Sequence, residues 1–167
     1  MLVYHSAFDM YHCVYRMFQL LSNLNEDYVE LERLRIWDYY LAFPNEMAKI
    51  RYERGNNDIQ NLFPKKYNPY EVVLDGKIIF EKMRTYQLTA IKTLASHGLI
   101  EKDYLTNNMI TKVDKNLFDN VIQNFEPPSD RESNIIKIMT TYFYKMPLYG
   151  DKGLKDRTNL LEYRYDA

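Results

Sequence analysis

The sequence predicts a mainly α-helical chain with a small β-hairpin (α+β), built as a winged-helix-like domain with additional flanking helices. Three observations carry this. Apolar side chains recur at three- and four-residue steps over several long segments. All five glycines and six prolines fall at plausible element ends. Near the middle, a long helical pattern stops at His97-Gly98, Leu99-Ile100 follow, and two short apolar runs flank Asn107-Asn108. Helix, Gly-Leu-Ile and hairpin in that order are the pattern of a winged helix, with the hairpin as the wing. Any helix followed by a hairpin gives the same string. The whole of residues 1–167 reads as one such domain, with 148–167 as a C-terminal arm.

Taken in order, Ser6–Ser22 reads as a helix. Met10, Val14, Met17, Leu21 and Leu24 form one stripe, and Phe8, Tyr11, Tyr15 and Phe18 form a second, aromatic one. Asn25 is placed to cap a helix over Tyr28–Ala42, whose core stripe is Leu34, Trp37, Tyr40 and Leu41 and which Pro44 ends. A short helix, Asn45–Arg54, stops at Gly55, and Asn56–Pro69 reads as a surface loop. Lys77–His97 is the long central helix, with Met83, Gln87, Ala90, Ile91, Leu94 and Ala95 inward and Gly98 as its left-handed stop. Tyr104–Thr106 and Met109–Val113 are the expected hairpin strands, because Asn tolerates positive φ in a tight turn. Asn116–Asn124 is a helix closed by Pro127-Pro128. Ser129 and Glu132 then have capping-box spacing ahead of a helix carrying Ile135, Ile138, Met139, Tyr142, Phe143 and Met146. Pro147 ends it, and the polar arm follows.

Composition bounds the chemistry. A chain that is 46% hydrophobic and 27% charged folds without metal or disulfide staples. One cysteine, Cys13, excludes a disulfide framework and a Cys-only zinc site. His5 and His12 lie seven residues apart, too far for the one-turn spacing of a zinc pair. Cys13 sits in an apolar helix, where burial makes a thiol inert. No phosphate loop, dinucleotide fingerprint or nucleophile elbow is present, and acidic pairs such as Glu26/Asp27 are explained by a helix start. We expect no enzyme, no cofactor, no metal and no small-molecule substrate. The N-terminus lacks a signal-peptide pattern and no run of about 18 apolar residues occurs. A cytoplasmic protein with no membrane partner is expected.

Two surfaces remain. The net charge of -1 removes global attraction to nucleic acid. On the central helix and the expected wing, Lys82, Arg84, Lys92 and Lys112 are the candidate DNA contacts, diluted by Glu81, Glu101 and Asp103. An ordinary solvated face accounts for the same residues. The aromatic share of 15%, with 16 tyrosines, exceeds what one small core plainly needs. Tyr11, Tyr15 and Phe18 are therefore candidate partner contacts, and core packing is the alternative for each. In the arm, Arg157, Arg164 and Tyr165 are residue types that often dominate interfaces. The alternative is an arm that folds back, its arginines pairing with nearby carboxylates.

Ile36-Trp37-Asp38-Tyr39-Tyr40-Leu41-Ala42-Phe43-Pro44, the segment from Pro147 to Asp166, and Gly98-Leu99-Ile100 after the central helix together resemble the middle-component proteins of the ABC-three-component systems. These are prokaryotic anti-phage operons, Lamassu-type systems among them. The resemblance implies a non-catalytic, winged-helix accessory subunit. Such a subunit would join an ATPase related to the structural-maintenance-of-chromosomes (SMC) group to a nuclease-like effector. Any DNA contact would then come through the complex. A DNA-binding transcriptional regulator is the alternative.

Overall fold

The computed structural model describes residues 5–56, 58–59, 62 and 75–161. The loop expected over Asn56–Pro69 lies largely outside them, as do Arg164 and Tyr165. The chain is mostly helical with a two-stranded antiparallel sheet, as the sequence predicts.

A 3-10 turn, Ser6–Phe8, leads into α1 (Met10–Asn23). Asp9 caps α1 by accepting the His12 backbone N–H at 2.9 Å. The strand β1 (Tyr28–Glu30) runs straight into α2 (Leu31–Ala42). Phe43 and Pro44 stop that helix, and Pro44–Lys49 forms a 3-10 turn where a helix over Asn45–Arg54 was expected. The longest helix, α3, spans Gly76–Ser96 and packs mainly against α1. Its N-terminus is capped by Asp75, and Gly98 closes it at φ +74°. A single helical turn, α4 (Tyr104–Asn107), precedes β2 (Met109–Thr111) and α5 (Lys115–Ile122). The capping box forms as expected on α6 (Asp130–Ile138), and the helix continues through a π-helical turn, Met139–Phe143. The last described helix is α7 (Leu154–Thr158).

The expected hairpin does not form. Tyr104–Asn107 is helical, and Asn108 takes the left-handed conformation (φ 54°, ψ 30°) to reverse the chain. β2 then pairs with β1 in the register Tyr28↔Thr111, Val29↔Ile110, Glu30↔Met109, and Ile100 bridges Lys112. The distant pairing wins because it buries Val29 against Ile110, both fully enclosed, whereas Leu105 in the failed partner strand stays 62% exposed. Tyr28–Glu30, expected as the start of a helix, is accordingly a strand.

The core centres on α2. Trp37, Leu34 and Ile36 are fully buried, and so are Arg33, Arg35 and Asp38 to within 5%. A helix enclosed on all sides needs partners for its charges. Asp38 accepts from Arg16 Nε at 2.6 Å and from Gln87 Nε2 at 2.9 Å. Gln87 also donates to the Arg35 carbonyl at 3.0 Å and accepts from Arg35 Nε at 2.8 Å. This network ties α1, α2 and α3 together. Arg33 reaches the other way, donating to the carbonyls of Phe143 (2.5 Å) and Met146 (2.7 Å) and so capping the end of the α6 continuation. In the expected arm, residues 148–161 are described: Leu148, Leu154 and Leu160 are buried. A side chain at Gly153 would collide with the Tyr149 carbonyl oxygen, so only glycine fits the entry to α7.

Candidate partner-binding surface

The structure separates the three aromatic candidates on α1. Phe18 is a core residue, its ring stacked on Phe118 with centroids 5.2 Å apart and lying 5.0 Å from Phe125. Tyr15 is half-buried; its hydroxyl donates to the Glu126 carbonyl at 3.0 Å and its ring meets Phe125 edge-on. Burial, then the Glu132 and Glu126 carboxylates, raise the Tyr15 phenol above its ordinary pKa. Tyr11, one turn earlier, is 66% exposed and stands edge-on to the His12 ring. His12 Nδ1 lies 2.8 Å from Asp9 Oδ1. Tyr11, His12 and Tyr15 thus form an aromatic outer face on α1.

A pocket of about 90 Å³ opens beside this face. Half-exposed His12, Tyr15 and Glu132 stand at its mouth, and buried Gln19, Leu41 and Ile136 line its depth. Gln19 was not a candidate from sequence. It lies on α1 one turn after Tyr15, and only the packing of α6 over it reveals that it is enclosed.

The candidates in the last segment are also divided. Arg157 is buried: its Nε donates to the Lys152 carbonyl (2.6 Å), one terminal nitrogen donates to the Arg51 carbonyl (2.7 Å), and the other lies 3.6 Å from Glu53. Arg51 answers by pairing with the Asp156 carboxylate at 2.7 Å and with its backbone carbonyl. Lys155 pairs with Glu32 at 2.5 Å and sits over the Tyr149 ring. These contacts clamp α7 onto the segment after the Pro44–Lys49 turn.

Of the candidate DNA contacts, Lys82, Arg84 and Lys92 are exposed on α3. At about 100° per residue, Lys82 and Arg84 point to opposite sides, so the three do not make one stripe. Lys112 is a correction. Its ammonium is buried and donates to the carbonyls of Leu24 (2.7 Å) and Leu21 (3.4 Å), closing the end of α1. Burial, with Lys115 adding, lowers its pKa. It faces no solvent, because the wing that would have displayed it is a core strand.

Cys13 is buried with its sulfur 3.9 Å from Asp38 Oδ2, and burial pushes its thiol well up, as expected for an inert thiol. Among the described residues no three or more His, Cys, Asp or Glu side chains are grouped to hold a metal ion, and no helix is long and apolar enough to cross a membrane.

The family model of the ABC-three component (ABC-3C) system Middle Component 5 matches residues 2–166. The chain belongs to that family. No curated protein and no solved structure matches it. Membership places this middle component among accessory parts of a multi-component system, with partner components in a complex. Of the aromatic face on α1, Tyr11 is the ring that stands in solvent.

Proposed function

We propose that this middle component is a non-catalytic adaptor that links an SMC-like ABC ATPase to a nuclease-like effector in a prokaryotic, Lamassu-type anti-phage complex. The family match over nearly the whole chain carries the reading. The α1 face supports it: Tyr11 offers a rigid ring with a polar tip in solvent, beside a Tyr15 whose hydroxyl is held by the Glu126 carbonyl. The mechanism is mechanical. The adaptor holds two larger proteins in register and passes on a DNA- or ATP-dependent change through altered contacts. Co-expression with an SMC-like ATPase and an effector of the same kind of system tests this. The three chains are expected to co-elute, and omitting this one is expected to separate the other two. An ATPase and effector that stay together without it would overturn the reading.

The exposed Lys82 and Lys92, about 15 Å apart along α3, support a second reading as a DNA-binding regulator. That reading requires duplex affinity in the isolated chain, falling steeply with salt.

A further inference from the structure

An adaptor that joins two proteins needs two separate surfaces, and Tyr11 marks one. It stands at the N-terminal end of α1, about 18 Å along the helix from Asn23, beyond which the chain turns into β1. At that far end the two-stranded sheet presents a face left open among the described residues. Val29, Ile110 and Lys112 are buried on one side of the sheet, so the residues alternating with them lie on the other. Tyr28, directly opposite Thr111, is 53% exposed, and Val113, two residues beyond Thr111, is 49% exposed. The free edge of β1 is closed. Lys112 N–H donates to the Asp27 carbonyl and Leu31 N–H to the Asn108 carbonyl, so the backbone groups of Tyr28 point away from β2. There the Tyr144 hydroxyl already donates to the Tyr28 carbonyl at 3.1 Å. A partner therefore meets side chains on the face and does not add a strand.

The charge on this face selects the partner. A helix start would have explained Glu26 and Asp27, but a strand follows them and α2 begins only at Leu31. Both are exposed, and neither carboxylate has an ion pair or hydrogen bond among the described residues. Of the cations nearby, Arg33 is taken up by Glu30 at 2.7 Å and by the Phe143 and Met146 carbonyls, and Lys112 by the carbonyls of Leu24 and Leu21. Exposed Lys115 stands against Glu26, Asp27 and Asp119. Burial, then Glu26, raises the Tyr144 phenol above its ordinary pKa; Glu30 adds to this and Arg33 opposes it. The side of the sheet shared by Tyr28 and Tyr144 is thus at negative potential, which repels nucleic acid and anionic membranes. A neutral apolar segment would cover Glu26 and Asp27 without pairing them. A guanidinium meets both demands: its flat, weakly hydrated face stacks on a tyrosine ring while its N–H groups pair with a carboxylate. An ammonium meets the charge but has no flat face to stack.

We propose that the outer face of the β1–β2 sheet, centred on Tyr28 with Glu26 and Asp27 beside it, is a second docking surface of the adaptor and takes an arginine-bearing basic segment of a partner subunit. This rests on the adaptor reading and deepens it. An arginine laid over Tyr28 pairs with the carboxylates just ahead of it in the chain, and Val113 adds apolar area on the same face. The two ends of α1 then hold two different proteins.

Two measurements on the full chain decide it. The first follows the backbone amides of Tyr28 and Thr111 by nitrogen-15 NMR during separate titrations with hexa-arginine, hexa-lysine and hexa-glutamate peptides. A saturable shift is expected with hexa-arginine, at least about threefold tighter than with hexa-lysine, and none with hexa-glutamate; Tyr28→Leu is expected to remove the preference for arginine. No saturable shift with hexa-arginine, or equal affinity for the lysine peptide, overturns the site. The second measurement uses the double variant Glu26→Gln with Asp27→Asn, which removes the charge and keeps the shape. It should melt within a few degrees of the parent, bind the reconstituted complex about tenfold more weakly, and show a shallower dependence on salt. Unchanged affinity in a complex that forms normally overturns the surface and leaves the adaptor role standing. If the parent chain forms no complex, the adaptor role fails, and the peptide titration still decides the surface. A parent that sediments as a dimer where the double variant is a monomer puts a second copy on this face and overturns the partner-subunit occupant.

Discussion

Two enclosed polar side chains on one face of α1, Arg16 and Gln19, are handled in opposite ways. Arg16 joins Asp38, Gln87 and Arg35 in a buried network whose members hold one another across three helices. Three residues further on, one turn along the same face, Gln19 is equally enclosed and neither end of its amide is met among the described residues. Burial alone therefore does not tell which polar groups are met: Arg35 Nη2 and Trp37 Nε1, inside the core, also have no hydrogen-bond partner among the described residues. The inner network specifies how α1, α2 and α3 dock. Tyr11, on the same helix, stands in solvent at 66% exposure.

Breaking the inner network should give the largest effect. Asp38→Ala strands Arg16 as an unpaired buried cation and removes an acceptor from Gln87. We expect a loss of about 3–5 kcal/mol, measured by chemical denaturation. A loss below about 1 kcal/mol would mean that water reaches Arg16.

A pH series sharpens the contrast between enclosed and exposed rings. Burial raises the Tyr40 phenol well above its ordinary value of 10.0, and also raises Tyr39 and Tyr52. In each case the unfolded chain loses its proton first. The stability these tyrosines contribute is full below pH 10 and falls as pH rises beyond it. Lys112 works in the opposite sense, since its lowered pKa adds stability as pH approaches the ordinary lysine value, but it is one group against three. Denaturation midpoints should therefore drop between pH 10 and 11, and Tyr40→Phe should flatten the drop. An identical slope in the variant would place Tyr40 in contact with solvent.

The smallest effects belong to α3. Lys82→Glu with Lys92→Glu should change stability by no more than about 0.5 kcal/mol, because both side chains stand in solvent. Retarded migration of duplex DNA by the parent chain, abolished in this double variant, would favour the regulator reading over the adaptor.

The sequence made some of this legible and not the rest, for physical reasons. Elements with local signals came through: the Ser129–Glu132 capping box, the α3 pattern and its Gly98 stop depend on residues within one turn of each other. β1 did not, because three residues carry no periodicity and Val29 becomes a strand residue only by meeting Ile110. The same distant pairing undid the expected wing and turned Lys112 inward. Phe18 and Arg157 look the same in sequence whether they face a partner or their own chain; the ring of Phe118 and the carbonyls of Lys152 and Arg51 decide it. Gln19 carried no signal, since a lone glutamine on a helix shows its burial only once α6 packs over it.

The central claim is that this middle component acts through the outer face of α1, and one measurement addresses it most directly. Tyr11→Arg alters a side chain that is 66% exposed and should leave the melting temperature within a degree or so of the parent. Titrated against the co-expressed ATPase and effector, the variant is expected to bind at least about tenfold more weakly than the parent. Equal affinity of parent and variant at equal stability would contradict the claim.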